Sequence, residues 1–312
     1  MSDLTEFTVD PEDGDTRLHR AAFRGDVEQL REYLEDNTLV FEINRRVRPY
    51  GATPLRLSST SGHLVCLQYL LQHGANVDLA DIKAQTPLFV AIKRKHLKCA
   101  QVLLEAGADP NGDAGNRCTP LYIAAQDGFL DGVKLLLRFG ADTELEDRLL
   151  GYVPGLPLHT AAVYHHFACF ATLLLAGAEP DLQKIKPKLP VSVIAQLSLC
   201  HAIVRHHCPE PFAQLLTECG GNIWQRDSRG YLATELNQNE GARLFLEKQL
   251  AQMPRSLKSL CRMAVRRLLG RQQIHNIRDL PLPSLLKDYL EFRELLPEVD
   301  TLLIYDSTRN EI

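Results

Sequence analysis

The stretch from Gln85 to Asp113, "QTPLFVAIKRKHLKCAQVLLEAGADPNGD", decides the fold. Thr86 and Pro87 open a short helix: a threonine hydroxyl caps an orphan amide, and proline stands where its missing N–H costs nothing. Leu and Ala follow on a core-facing side. A second helix supplies Leu103 and Leu104, and Gly107 stands where a helix end needs a left-handed residue. The same design recurs in "ATPLRLSSTSGHLVCLQYLLQHGANVDLAD" from Ala52 and "CTPLYIAAQDGFLDGVKLLLRFGADTELED" from Cys118, with Thr53, Thr86 and Thr119 spaced by 33 residues. The leucine pairs are Leu70 and Leu71, and Leu136 and Leu137; the closing glycines are Gly74, Gly140 and, further on, Gly177. One helix pair cannot bury its apolar face, but a stack of pairs can.

A 33-residue period with T-P-L and G-A-D resembles the ankyrin-repeat family. Weaker copies flank the three clear ones. One starts at Thr16, 37 residues before Thr53, and one at Leu156, 37 after Thr119, so each preceding loop holds four extra residues. A degenerate copy runs from Leu197 and a partial one from Arg229. The expected fold is all-α: a solenoid of about five clear units and one or two eroded ones over 15–250, after an acidic segment at 1–14.

Composition is that of an ordinary globular chain: 312 residues, 45% hydrophobic, 24% charged, formal net charge −4. A net charge of that sign is no reason to expect nucleic acid. The N-terminus carries Asp3, Glu6, Asp10, Glu12, Asp13 and Asp15 before any basic residue, unlike a signal peptide, and no apolar run is long enough to span a bilayer. An intracellular setting, cytoplasmic or nuclear, is expected.

Eight cysteines occur without a C-x-x-C pair. Cys66, Cys99 and Cys169 each lie 13 residues after the start of their unit, on the inner face of the second helix, and read as small core hydrophobes. Cys200, His201, His206, His207 and Cys208 hold soft and imidazole donors, but their spacing matches no familiar zinc site, so no metal or other cofactor is expected. His165 and His166 read as structural. No phosphate loop, nucleophile elbow or H-E-x-x-H appears, which leaves no candidate catalytic residue.

A repeat stack offers a rigid surface built from turn tips and first helices. The candidates for binding an unidentified substrate protein there are Tyr50, Lys83, Gln85, Lys93, Arg94, Gln126, Asp127 and Tyr164.

After Gln252 the pattern changes. Leu257, Leu260, Cys261, Ala264, Val265 and Leu268 share one helical face, and Arg255, Lys258, Arg262, Arg266, Arg267 and Arg271 take the rest. Ser256-Leu257, three residues, Cys261, three residues, Val265 is similar to the elongin-binding box of the SOCS box, and Leu280-Pro281-Leu282-Pro283 to the box that selects the cullin-5 scaffold. On these motifs the chain is identified as resembling the ankyrin repeat and SOCS box family over roughly 15–290. The resemblance implies a three-helix box at 253–292, with Leu257, Leu260, Cys261 and Val265 docking elongin C, accompanied by elongin B, and Leu280 to Pro283 docking cullin 5 with its RING-box protein. It implies a non-catalytic substrate receptor of a ubiquitin ligase, acting on protein rather than nucleic acid or membrane. Arg262, Arg266 and Arg267 read as a soluble outer face. The competing reading is an ankyrin scaffold whose basic helix is a cap or a calmodulin or lipid contact. The tail 293–312 includes the strand-like "TLLIY" and has no assigned role.

Overall fold

The computed structural model describes residues 15–35, 40–116, 118–144, 149–150, 153–154, 156–180, 198–227, 229–236, 240–251, 261–262, 264–266, 268–269 and 274–291. The acidic segment 1–14 and the tail 293–312 lie outside them. The chain divides into two compact units, residues 1–124 with 134–142 and residues 125–133 with 143–312.

In the first unit the helix pairs are α1 (Arg17–Arg24) with α2 (Val27–Glu35), α3 (Pro54–Ser61) with α4 (Leu64–Gln72), and α5 (Pro87–Lys93) with α6 (Leu97–Glu105). First helices pack on first helices, α1 on α3 and α3 on α5; second helices do likewise, α2 on α4 and α4 on α6. Leu18, Leu55, Leu88, Leu67, Leu70 and Leu103 are buried between them, each stabilising by about 2 kcal/mol relative to exposure. The cap reading of Thr-Pro holds at atomic level. The Thr53 hydroxyl accepts from the Arg56 amide at 3.2 Å, that of Thr86 from Phe89 at 3.2 Å, and that of Thr119 from Tyr122 at 2.9 Å. The next pair is α7 (Pro120–Gln126) and α8 (Leu130–Arg138).

The second unit continues with α9 (Pro157–Val163), α10 (Phe167–Leu175), α11 (Leu199–Arg205), α12 (Glu210–Glu218) and α13 (Glu240–Ala251). The degenerate stretch from Leu197 thus folds into the same helix pair. Phe212 of α12 meets Phe167 and Phe170 of α10, both with ring centroids at 4.9 Å, one edge-on and one tilted. Strand structure among the described residues is confined to one hairpin in the long loop before α9, where β1 (Leu149–Leu150) pairs antiparallel with β2 (Val153–Pro154). It is a local departure from an all-α chain, in a loop lengthened by the 37-residue interval.

The closing glycines Gly74, Gly107, Gly140 and Gly177 all have positive φ. A second left-handed column, nine residues after the residue that caps each first helix (Thr53, Thr86, Leu156, Ser198), is enforced by the fold whatever residue fills it. Gly62 has φ +78, and a Cβ there would meet the His96 ring at 2.7 Å. The same column holds Lys95 at φ 60, His165 at φ 62 and His207 at φ 56. Those non-glycine residues store about 1 kcal/mol each. The histidine that follows the turn reaches back one repeat: His96 Nε2 to the Thr60 carbonyl at 3.2 Å, His166 Nε2 to that of Gln126 at 3.0 Å.

Cys66, Cys99 and Cys169 are buried in their second helices, and burial pushes the Cys66 thiol up to about 11, which keeps it protonated and unreactive. The 200–208 cluster is dispersed among backbone acceptors. Cys208 Sγ donates to the Ala162 carbonyl at 3.2 Å, Cys200 Sγ lies 3.6 Å from that of Asn222, and the His201 Nε2 bonds that of Tyr231 at 3.0 Å. Among the described residues no group of three or more His, Cys, Asp or Glu is placed to hold a metal.

Candidate docking site on the C-terminal box

Beyond α13 the described residues form a helix, α14, seen at 261–262, 264–266 and 268–269. A 3-10 segment follows at Ile274–Asp279, then α15 (Ser284–Leu290). A small core ties the three helical segments together: Ile277 and Leu290 are buried, with Val265, Leu269 and Leu282 packed against them. Arg278 bridges the turn, its guanidinium on Asp288 at 2.7 Å and Glu291 at 2.5 Å, while Lys287 Nζ donates to the Arg278 carbonyl at 2.7 Å.

The two described arginines of α14, Arg262 and Arg266, do not belong to a soluble outer face. Arg262 is only 2% exposed; its guanidinium lies 3.6 Å from the centroid of the Tyr289 ring and 3.4 Å from the Glu218 carboxylate at the end of α12. Arg266 donates through Nη1 to the Leu290 carbonyl at 2.8 Å and through Nη2 to that of Leu175 at 2.8 Å. It thereby caps the C-terminal ends of α15 and α10 at once, where carbonyls lack helical partners and the helix dipole favours a cation. Burial lowers the Arg266 pKa from its ordinary value; nearby Cys219 and Glu291 oppose that lowering and Arg262 adds to it. The expectation failed because periodicity shows that two faces differ, not which one the rest of the chain can satisfy. A guanidinium is buried readily where an aromatic face, a carboxylate and helix-end carbonyls converge. Arg267 lies outside the described residues.

The opposite side of α14 is apolar and open. Cys261 and Ala264 are exposed and Leu268 is 87% exposed. Positions 261, 264 and 268 repeat at three and four residues, so they form one stripe. Of the four residues expected to meet elongin C, Leu257 and Leu260 lie outside the described residues, Cys261 is on this stripe, and Val265 is turned toward the box's own core. Leu268 lies on the stripe beyond the expected motif. In the second motif Leu282 packs on the core, Leu280 is half-buried, and Pro281 and Pro283 are exposed, with Pro283 immediately before α15. Leu285, 82% exposed, and Leu286 extend this surface into α15 and were not anticipated by the motif.

The expected substrate residues lie in both units. Tyr50, Lys83, Lys93 and Arg94 are exposed in the first, and Gln85 is half-buried, accepting from Arg56 Nη2 at 3.3 Å. Gln126, Asp127 and Tyr164 lie in the second; the Gln126 amide donates to the Tyr164 hydroxyl at 3.4 Å. No helix among the described residues is long and apolar enough to cross a membrane.

Comparison with known proteins adds to this geometry. The ankyrin-repeat family (ankyrin repeats, 3 copies) matches residues 18–114 and 111–184, and the SOCS box family matches 253–291. The human ankyrin repeat and SOCS box protein 1 is 47% identical over 300 residues, covering 88% of each chain. The human ankyrin repeat and SOCS box protein 12 is 48% identical over 292 residues, covering 90% of this chain and 93% of its own. Among solved structures, the human ASB11 ankyrin repeat domain superposes with a TM-score of 0.59 at 25% identity, over 78% of this chain and 100% of that one.

Proposed function

We propose that this chain, which belongs to the ankyrin repeat and SOCS box family, is the substrate-recognition subunit of an elongin B/C–cullin-5–RING ubiquitin ligase. The observation that carries the reading is the stripe of Cys261, Ala264 and Leu268, apolar and open on a helix whose Arg262 and Arg266 are turned inward. An amphipathic helix that hides its cations and presents its apolar side is built to be covered by a groove. Elongin C is the proposed occupant, with Leu257, Leu260, Cys261 and Val265 as the motif residues and elongin B alongside. The surface of Leu280 to Pro283, continued by Leu285, is proposed to meet cullin 5 and its RING-box protein. Prolines at 281 and 283 hold that segment extended, so little ordering entropy is lost on docking.

The repeats then hold the substrate protein, and the chain performs no bond chemistry of its own. Its contribution is proximity, raising the local concentration of substrate lysines near the activated ubiquitin. The eight free thiols suit the reducing interior of a cell. Two of the six cations on which a calmodulin or lipid contact would rest, Arg262 and Arg266, face inward, which favours the receptor reading.

The test is co-expression with elongins B and C and cullin 5. Leu257→Asp/Cys261→Asp is expected to lose the elongins, and Pro281→Ala/Pro283→Ala to lose mainly cullin. An intact chain that captures none of them would sink the assignment.

A further inference from the structure

Resting on the receptor reading for its biological sense, we propose that the first unit binds an acidic, extended peptide segment of the client protein, one that carries an aliphatic or aromatic anchor. Counting from each unit's start at Thr16, Thr53 and Thr86, offset seven gives Phe23, Thr60 and Lys93, and offset eight gives Arg24, Ser61 and Arg94. Because α1, α3 and α5 pack in succession, these positions fall in two parallel rows across three repeats. Neighbouring helices stand about 10 Å apart, so Arg24 and Arg94 bracket about 20 Å, the reach of about six extended residues.

A third row lies at the turn tips. Tyr50 is 41% exposed and Ile82 68%, and Lys83 Nζ sits 5.7 Å from the Tyr50 ring centroid. Exposed Arg46 lies beside the same tip, its side chain and that of Ile82 flanking Gly51. The tips are held in place before any ligand arrives. Arg56 pairs with Asp81 at 2.7 Å, both nearly fully buried. Asp81 Oδ1 accepts from the Lys83 and Gln85 amides at 2.8 Å each, and the Ile82 amide donates to the Tyr50 carbonyl at 3.0 Å. Asp81 is also the one carboxylate within 45–56, 81–85 and 93–95, and Arg56 neutralises it. Arg45 is paired with Glu42 at 2.9 Å, so the positive charge presented around the two apolar side chains is carried chiefly by exposed Arg46, Lys83 and Lys93.

Charge complementarity selects an anionic partner. A peptide fits better than a polynucleotide. The cations are interrupted by Phe23, Thr60 and Ser61, Ile82 and Tyr50 offer apolar contacts in their midst, and the chain as a whole carries −4.

The test is selection from a random 12-residue phage-displayed peptide library on the full chain purified after co-expression with elongins B and C, whether or not they are captured. Selected sequences are expected to be net acidic with at least one Leu, Ile, Phe or Tyr. The leading peptide should bind about tenfold more weakly to Lys93→Glu/Arg94→Glu and to Tyr50→Ala/Ile82→Ala, while Arg205→Glu in the second unit leaves it unchanged. Neutral or basic winners, no enrichment, or undiminished binding to Lys93→Glu/Arg94→Glu would overturn the proposal. So would a fluorescein-labelled dT12 that displaces the peptide and binds more tightly. Elongin capture by the same preparation reports separately on the receptor reading. Capture without acidic enrichment removes this surface alone; acidic enrichment without capture keeps the surface and removes the ligase assignment.

Discussion

In α4 and α6, Cys66, Leu67, Leu70, Cys99, Leu103 and Leu104 face inward, and solvent meets Gln68, Lys98 and Gln101. In α14 the arrangement is reversed: Arg262 is buried, Arg266 is tied to two helix ends, and Cys261, Ala264 and Leu268 stand in solvent. A repeat completes its core with the next repeat, so the apolar side chains at its helix–helix contacts are already covered. The box helix is held to the stack by hydrogen bonds and an ion pair, and to α15 by the Tyr289 ring over Arg262, which leaves its apolar stripe over for something outside the chain. Arg56 shows that burial of an arginine alone does not make this difference. It too is buried, but its partner Asp81 holds a turn tip, and Leu55 and Leu57 of the same helix are buried as well.

Arg56→Ala is expected to have the largest effect, since it strands the Asp81 carboxylate in a buried site. A loss of about 3–5 kcal/mol in urea unfolding is predicted, partly recovered when Asp81 is also replaced by Asn, which removes the stranded charge and keeps an acceptor for the Lys83 and Gln85 amides. Arg266→Ala comes next, at about 2 kcal/mol or more, because it removes a charged donor from helix-end carbonyls. Hydrogen exchange should quicken in 261–291 and stay unchanged in 40–116; equal quickening in both would erase the distinction between box and repeats.

Leu268→Asp probes the same distinction from the other side. Being exposed, the site should change stability by no more than about 0.5 kcal/mol, yet elongin capture should weaken by about 2 kcal/mol or more. A large loss of stability would mean that the stripe is internal packing. Thr53→Ala removes one cap, worth about 1 kcal/mol.

The mildest perturbation is pH. Burial lowers the His201 pKa below its ordinary 6.5, and its Nδ1 has no acceptor. The unfolded chain therefore takes up the proton first. Its contribution to stability is whole above pH 6.5 and is lost as pH falls below that value toward the folded-state pKa. Thermal unfolding followed from pH 7.5 to 5.5 should show a decline that is reduced in His201→Gln.

Much of the repeat architecture was legible in the residues themselves. The 33-residue period, the Thr-Pro starts and the glycines at helix ends are local requirements, and local requirements are written locally. The inward placement of Cys66, Cys99 and Cys169 followed from the same period. Lys95, His165 and His207 were not legible as left-handed residues, because nothing in a lysine or histidine announces a positive φ that the repeat imposes. The dispersal of the 200–208 cluster depended on carbonyls at Ala162, Asn222 and Tyr231, well away in sequence.

For α14 the order of residues was enough to establish two unlike faces, with a family-like motif running along one of them. Which face turns inward was settled by folding alone. The partners that allow Arg262 to be buried and Arg266 to turn inward come from Glu218, Leu174, Leu175, Tyr289 and Leu290, and α10, α12 and α15 bring them together. A helical period records the difference between two faces, whereas the choice between them depends on where distant charges, rings and carbonyls end up when the chain folds.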